Sequence, residues 1–166
     1  MSPPRYIVVH HAAAPRSTTV AEIHRWHVAG RGWRDIGYHR LIRMGDGEMV
    51  QTLPGRPFDA DADWEPWEFG AHVAGHNAHA VGVCLVMDTT KERIPDAMWS
   101  AAIDCIADLC EQFGLAADAV RGHREMSGAV TTCPGDIDLD AFRVEVAAEL
   151  RIRQDAAAGP TVEIPP

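Results

Sequence analysis

The segment RGHREMSGAVTTCPG, residues 121–135, places His123 and Cys133 in one polar, glycine-bearing loop. A histidine and a cysteine serving a core would sit among apolar neighbours, and these do not. The other three cysteines fit that quieter role. Cys84 lies in the apolar run VGVCLVM, and Cys105 and Cys110 lie on a helical pattern, pointing to different sides and unable to bridge each other. His10 and His11 end the first apolar run and lead into AAAP, where a strand-end side chain projects toward a cleft. One strand-end histidine, His123 and the Cys133 thiolate would make a nitrogen and sulfur donor set suited to zinc. Three protein ligands leave the fourth position open for water, which marks a catalytic site rather than a structural one. Spacing alone leaves a second reading open, in which His123 caps its loop and Cys133 is inert. Five more of the nine histidines take plainer roles: His24 and His27 on a helix, His76 and His79 exposed in a loop, His39 in a strand beside Tyr38.

Positioning these groups requires strands that end near one another. YIVV (6–9) reads as a buried strand and VGVCLVM (81–87) as a central one. YHRLIR (38–43) and EMVQT (48–52) flank Met44-Gly45-Asp46-Gly47, whose Asp-Gly pair signals a hairpin. Residues 119–121 allow a short strand before His123. Residues 19–30 read as a helix with Thr19 and Glu22 at capping-box spacing and Gly30 as its end. Residues 95–113 form an amphipathic helix closed by Gly114, and 139–150 a last helix with Phe142, Val146 and Leu150 on one stripe. Residues 53–80 lack periodicity and read as a long ordered loop bordering a site. Strands alternating with helices predict a mixed α/β (α+β) fold, a central mixed sheet flanked by helices. The Ala/Pro-rich segment 151–166 reads as a disordered tail or a linker, leaving 1–150 as the domain.

At 166 residues the chain can bury a core without disulfides or a structural metal, so any metal serves chemistry. Fifteen basic against 24 acidic residues give a net charge of −9 with no basic stripe, which argues against nucleic-acid partners and adhesion to anionic membranes. The N-terminus MSPPRYIVV has no long apolar stretch, so neither a signal peptide nor membrane insertion is expected.

The segments IVVHHAAA, WHVAGRGWRDIGYHRLI, GAHVAGHNAHAVGVCLV and RGHREMSGAVTTCPG, in this order from about Tyr6 to Phe142, resemble the zinc-dependent N-acetylmuramoyl-L-alanine amidases. That family includes phage lysins and the peptidoglycan recognition proteins. The resemblance implies Zn2+ held by His10, His123 and Cys133, with His11 not needed as a ligand. It implies Tyr38 in DIGYH as the catalytic tyrosine and Thr131 as the polar residue beside the metal. His72 in GAHVAGHN, with Asn77, is implied to line the substrate groove. Some phage members carry a lysine at the Thr131 position and a shorter loop between histidine and cysteine. Threonine there is similar to the catalytic recognition proteins, and the non-catalytic ones lose the cysteine that this chain keeps.

Among the aromatics, Trp64 and Trp67 are candidates for sugar or peptide contacts because of their loop positions; Trp33 is open between groove and packing, and Trp99 reads as core. Glu65 and Glu68 read as solvated loop charges. The resulting expectation is a peptidoglycan hydrolase that cleaves between the lactyl group of N-acetylmuramic acid and L-alanine through a zinc-activated water. Its implied setting is a phage or prophage endolysin, a monomer, made in the bacterial host cytoplasm and reaching the wall after release by a separate holin. The alternatives are a non-catalytic peptidoglycan-binding recognition module and a cytoplasmic muropeptide-recycling amidase.

Overall fold

The structure, a computed structural model, describes residues 3–45, 49–59, 61 and 63–159. Five strands form one sheet in the order β3-β2-β4-β1-β5. They are β1 (Tyr6–His11), β2 (Arg40–Met44), β3 (Val50–Pro54), β4 (Ala80–Leu85) and β5 (Val120–Gly122). β4 lies parallel to β1 and β2, and β1 parallel to β5, whereas β2 and β3 form an antiparallel hairpin. The expected mixed sheet is therefore present. Asp46 and Gly47 of the expected turn lie outside the described residues.

Side chains on a strand alternate between faces, and this alternation separates core from site. Ile7, Val9, Val81, Val83 and Leu85 face one side, where α2 (Asp96–Phe113) and α3 (Leu139–Ala158) bury them. Ile106, Phe142 and Val146 from those helices complete that layer. The opposite face carries Val8 and His10 from β1 and Cys84 from β4, covered by Ile23 of the first helix, Leu41 and the loop around Val73. Placing His10 on this second face puts the site on the far side of the sheet from α2 and α3.

The helices differ from the expected boundaries in two places. Thr19 caps α1 (Val20–Arg25) with the full capping box, its Oγ1 accepting from the Glu22 amide while Glu22 Oε2 accepts from the Thr19 amide. The chain then widens into a π-turn, Trp26–Gly30, instead of continuing as α-helix. This wider turn keeps His27 buried, where its Nδ1 accepts from the Gly37 amide. At the other end α3 runs on to Ala158, eight residues past the expected end at Leu150. Arg153 supports the extension, pairing with Glu149 one turn back and with Asp108 and Glu111 of α2. Residues 160–166 lie outside the described residues. No helix among the described residues is long and apolar enough to cross a membrane.

Candidate active site

His10, His123 and Cys133 converge at the ends of β1 and β5. One donor atom from each lies within 4.8 Å of the others. His10 ends up here because it shares the face of Val8, while neighbouring His11 turns aside to Thr89, whose Oγ1 is 3.0 Å from His11 Nδ1. His123 follows β5 directly, in a short 3-10 turn braced by Glu125. That carboxylate accepts from the Gly122 amide and pairs with Arg143 of α3 at 2.9 Å. Arg124 links the two ligand-bearing segments: its amide donates to the Cys133 carbonyl at 2.7 Å, and its guanidinium to the carbonyls of Gly135 and Ile137. Thr89 Oγ1 donates to the Pro134 carbonyl, closing the loop from the other side.

The donor set fits zinc. A tetrahedral zinc with bonds of about 2.05 Å to nitrogen and about 2.3 Å to sulfur sets those two ligands about 3.6 Å apart. Cys133 Sγ lies 3.6 Å from His10 Nδ1. Burial pushes His10 well below the ordinary imidazole value, so it is neutral with a free lone pair. Burial also pushes the Cys133 thiol up to about 11, opposed by a hydrogen bond from the His11 amide and by Arg124.

Tyr38 packs its ring against His10, with centroids 5.1 Å apart. Burial, followed by the thiols of Cys84 and Cys133, holds its phenol well above the usual tyrosine value, so it remains a donor. Thr131 is exposed beside Cys133, and its Oγ1 accepts from the Cys133 amide at 3.1 Å. That bond occupies an oxygen lone pair and leaves the hydroxyl hydrogen to donate.

These groups line an open cleft of about 640 Å³, together with Ala13, His27, Arg31, Trp33, His72 and Asn77. A larger hollow of about 730 Å³ near Trp99 and Lys91 contains none of the three donors. The sequence family described as N-acetylmuramoyl-L-alanine amidase matches residues 1–136, most of the chain and all three donors. The chain belongs to this amidase family.

Among curated relatives, the endolysin of Klebsiella phage KP32 is 38% identical over 95 residues, 55% of this chain and 54% of that protein. Peptidoglycan-recognition protein LB of Drosophila melanogaster is 33% identical over 147 residues, 80% of this chain and 55% of that protein. The chain thus spans about half the length of these two relatives. Among solved structures, the Ph2119 endolysin from a Thermus scotoductus bacteriophage superposes with a TM-score of 0.67 at 29% identity, covering 88% of this chain and 86% of that one.

Within this amidase fold, several residues fall where the sequence does not place them. Trp64 is not a groove residue: it is 1% exposed and packs into the α2 side of the core against Phe58, Phe69 and Phe113. A loop tryptophan surrounded by phenylalanines gains more by burial than by facing water. Trp67 is 40% exposed, but its indole N–H is held by Glu65 and it does not line the cleft. Asn77 lines the cleft, yet its Oδ1 accepts from the amides of His72 and Val73, so its carbonyl shapes the loop. His72 also borders the cleft, with both ring nitrogens within hydrogen-bond distance of protein groups: Nδ1 is 3.0 Å from His10 Nε2, and Nε2 is 3.2 Å from the Ala80 carbonyl. Glu68 is not solvated. It is 1% exposed, and its carboxylate accepts from the amides of Asp59 and Glu65.

Sequence reasoning missed Arg31 and His27 as cleft residues and left Trp33 undecided; Trp33 stacks near His27 and beneath the Arg31 guanidinium. The signal available was the segment HVAGRGW, where the π-turn brings His27, Arg31 and Trp33 to one edge. Arg31 gives an otherwise neutral histidine-lined cleft a positive charge suited to an anionic group on a ligand.

Proposed function

We propose that this chain hydrolyses the amide bond between the lactyl group of N-acetylmuramic acid and L-alanine in peptidoglycan. The observation that carries the proposal is the convergence of His10, His123 and Cys133 at the floor of an open cleft in a chain of this family. His10 through Nδ1, His123 and Cys133 would hold zinc. When bound, zinc supplies a Lewis acid and lowers the pKa of a bound water to about 7.

The protein's own groups supply orientation and hydrogen bonds. Tyr38, kept protonated by burial, donates to the oxygen that gains charge as the amide carbonyl is attacked. Thr131, also lining the cleft, has its hydroxyl hydrogen left to donate to the same oxygen. A neutral Tyr38 also fits proton return to the departing L-alanine nitrogen through water. The buried His10 and the packed Tyr38 ring hold these groups without reorganisation.

The likeness to phage endolysins supports an endolysin role, with synthesis in the bacterial host cytoplasm and action on the wall after release by a separate holin. The protein acts as a monomer under this reading. Segment 151–166 is the candidate connection to a further module, its first part joined rigidly to the domain because α3 continues to Ala158.

The test is digestion of purified sacculi with and without a chelator, with mass spectrometry of the released fragments. Stem peptides with a free N-terminal L-alanine are expected only without chelator. Sacculi and soluble muropeptides left intact by zinc-loaded protein would replace hydrolysis with binding, and cleavage of soluble muropeptides alone would point to recycling. Tyr38→Phe is expected to lower the rate about 10²-fold, the usual loss for one donor to a developing oxyanion. Zinc content should stay at the wild-type level, and a variant that releases peptides at the wild-type rate removes Tyr38 from the chemistry.

A further inference from the structure

Two histidine rings stand where the sheet lacks a strand. β2 first pairs with β4 at Val83, opposite Arg40, so the backbone groups that Ala80 and Gly82 turn toward β2 need other partners. His39 serves Gly82: its amide donates to the Gly82 carbonyl at 2.8 Å, and its Nδ1 accepts from the Gly82 amide at 2.8 Å. His72 serves Ala80, with Nε2 at 3.2 Å from the carbonyl oxygen.

That last contact has a direction. A carbonyl oxygen only accepts, so His72 Nε2 carries the hydrogen. A neutral imidazole carries a single N–H, so with that hydrogen on Nε2 the His72 Nδ1 is a bare acceptor. His10 Nε2 lies 3.0 Å from that acceptor and must therefore donate. An imidazole that ligates a metal is neutral, so with its hydrogen on Nε2 the His10 Nδ1 is bare. Nδ1 is also the nitrogen that faces Cys133 Sγ. Every hydrogen in the row Cys133, His10, His72, Ala80 runs one way, toward the carbonyl.

We propose that His72 is a positioning residue that, anchored on the Ala80 carbonyl, holds His10 in the Nε2–H tautomer and directs His10 Nδ1 to the metal. This extends the zinc reading above and rests on it. The seat of His72 is built for one ring. A Cβ on Gly82 would meet His72 Cγ at 2.7 Å, and one on Gly70 would meet its Cδ2 at 2.5 Å. Asn77 Oδ1 fixes the backbone on both sides, accepting from the amides of His72 and Val73 at 2.9 Å. The His10 and His72 rings meet edge-on at 88°, so neither can rotate without breaking the contact. Such an outer partner selects which nitrogen ligates and raises the basicity of the ligand.

The test combines a spectrum with an affinity. In the zinc-loaded, 15N-labelled wild type, long-range 1H–15N correlations should show His10 with a metal-bound Nδ1 and a slowly exchanging Nε2–H. Chelator competition should then show His72→Leu losing zinc affinity about 10–100-fold, the usual cost of removing such a partner. His72→Asn places an acceptor oxygen where Nδ1 stood, and its zinc affinity should stay within about threefold of wild type on the same scale. Ligation of His10 through Nε2 would overturn the proposal, and so would a His72→Leu protein that binds zinc like wild type, or an Asn variant that loses as much as the Leu one. The wild-type spectrum decides even if a variant fails to fold. A wild-type protein that takes up no zinc would instead sink the metal reading itself, a result separable from the others.

Discussion

Replacing Cys133 with alanine is expected to lower peptide release from sacculi by about 10³-fold, because the Lewis acid it helps hold contributes several kcal/mol to the transition state, and about 4 kcal/mol is that factor. His10, His123 and Cys133 are the one three-donor group of this kind among the described residues, so no fourth protein donor stands ready to replace the lost sulfur. The fold should survive. The loop is held by backbone bonds to Arg124 and by Thr89 on the Pro134 carbonyl, none of which uses the Cys133 side chain. Zinc content, circular dichroism and peptide release measured on one preparation check this. Binding to sacculi in a pelleting assay should persist, since Arg31, Trp33 and the rest of the cleft are untouched. An alanine variant that still releases peptides at the wild-type rate would remove the metal from the chemistry and with it the reading of the site.

The metal-free protein is expected to lose stability steeply as pH falls from 6.5 toward 5. Burial lowers the pKa of His27 and of His72 to about 4, and moves His10 and His39 in the same direction. These rings stay neutral in the folded state while the unfolded chain takes up protons below about 6.5. The unfolded state then binds more protons, so stability falls with pH. The contribution is complete above about pH 6.5 and is lost progressively down to each folded pKa. Each such group withdraws up to about 1.4 kcal/mol per pH unit within the window. Four of them remove several kcal/mol by pH 5, against a total stability of about 5–15 kcal/mol for an ordinary domain. Asp88, held down to about 2 by the Thr90 hydroxyl and Lys91, titrates below this range and adds nothing to it. Urea midpoints at pH 7.5, 6 and 5, followed by tryptophan fluorescence, measure the effect. A midpoint that does not move would mean that these rings are protonated in the fold or meet water there.

The candidate site shows where legibility ended. The residue types of His10, His123 and Cys133, and the apolar runs that deliver them, can be read in the chain because a strand end and a polar loop have local signatures. The likeness to the amidase family rests on the same local segments. Trp64 and Glu68 could not be placed that way. Each sits in a loop rich in turn formers, and its burial depends on Phe58 and Phe113 in one case and on the amides of Asp59 and Glu65 in the other. Neither set of partners announces itself at a fixed spacing. The extension of α3 to Ala158 is similar: its segment carries no apolar stripe, and its support comes from Arg153 reaching acidic residues on α2.

By itself, the sequence determined the mixed α/β architecture, the helix caps at Thr19 and Gly114, the family, and which three side chains have donor chemistry, because each follows from periodicity, turn chemistry or a short motif. Only the tertiary structure decided which face of the sheet bears the site, which nitrogen of His10 faces Cys133, and what His72 does beside it. Those outcomes depend on strand register. β2 joins β4 only from Val83 onward, and the gap it leaves is filled by the rings of His39, just before β2, and His72, in the loop before β4. A hydrogen bond across 62 residues is a property of the packed sheet, and no local pattern encodes it.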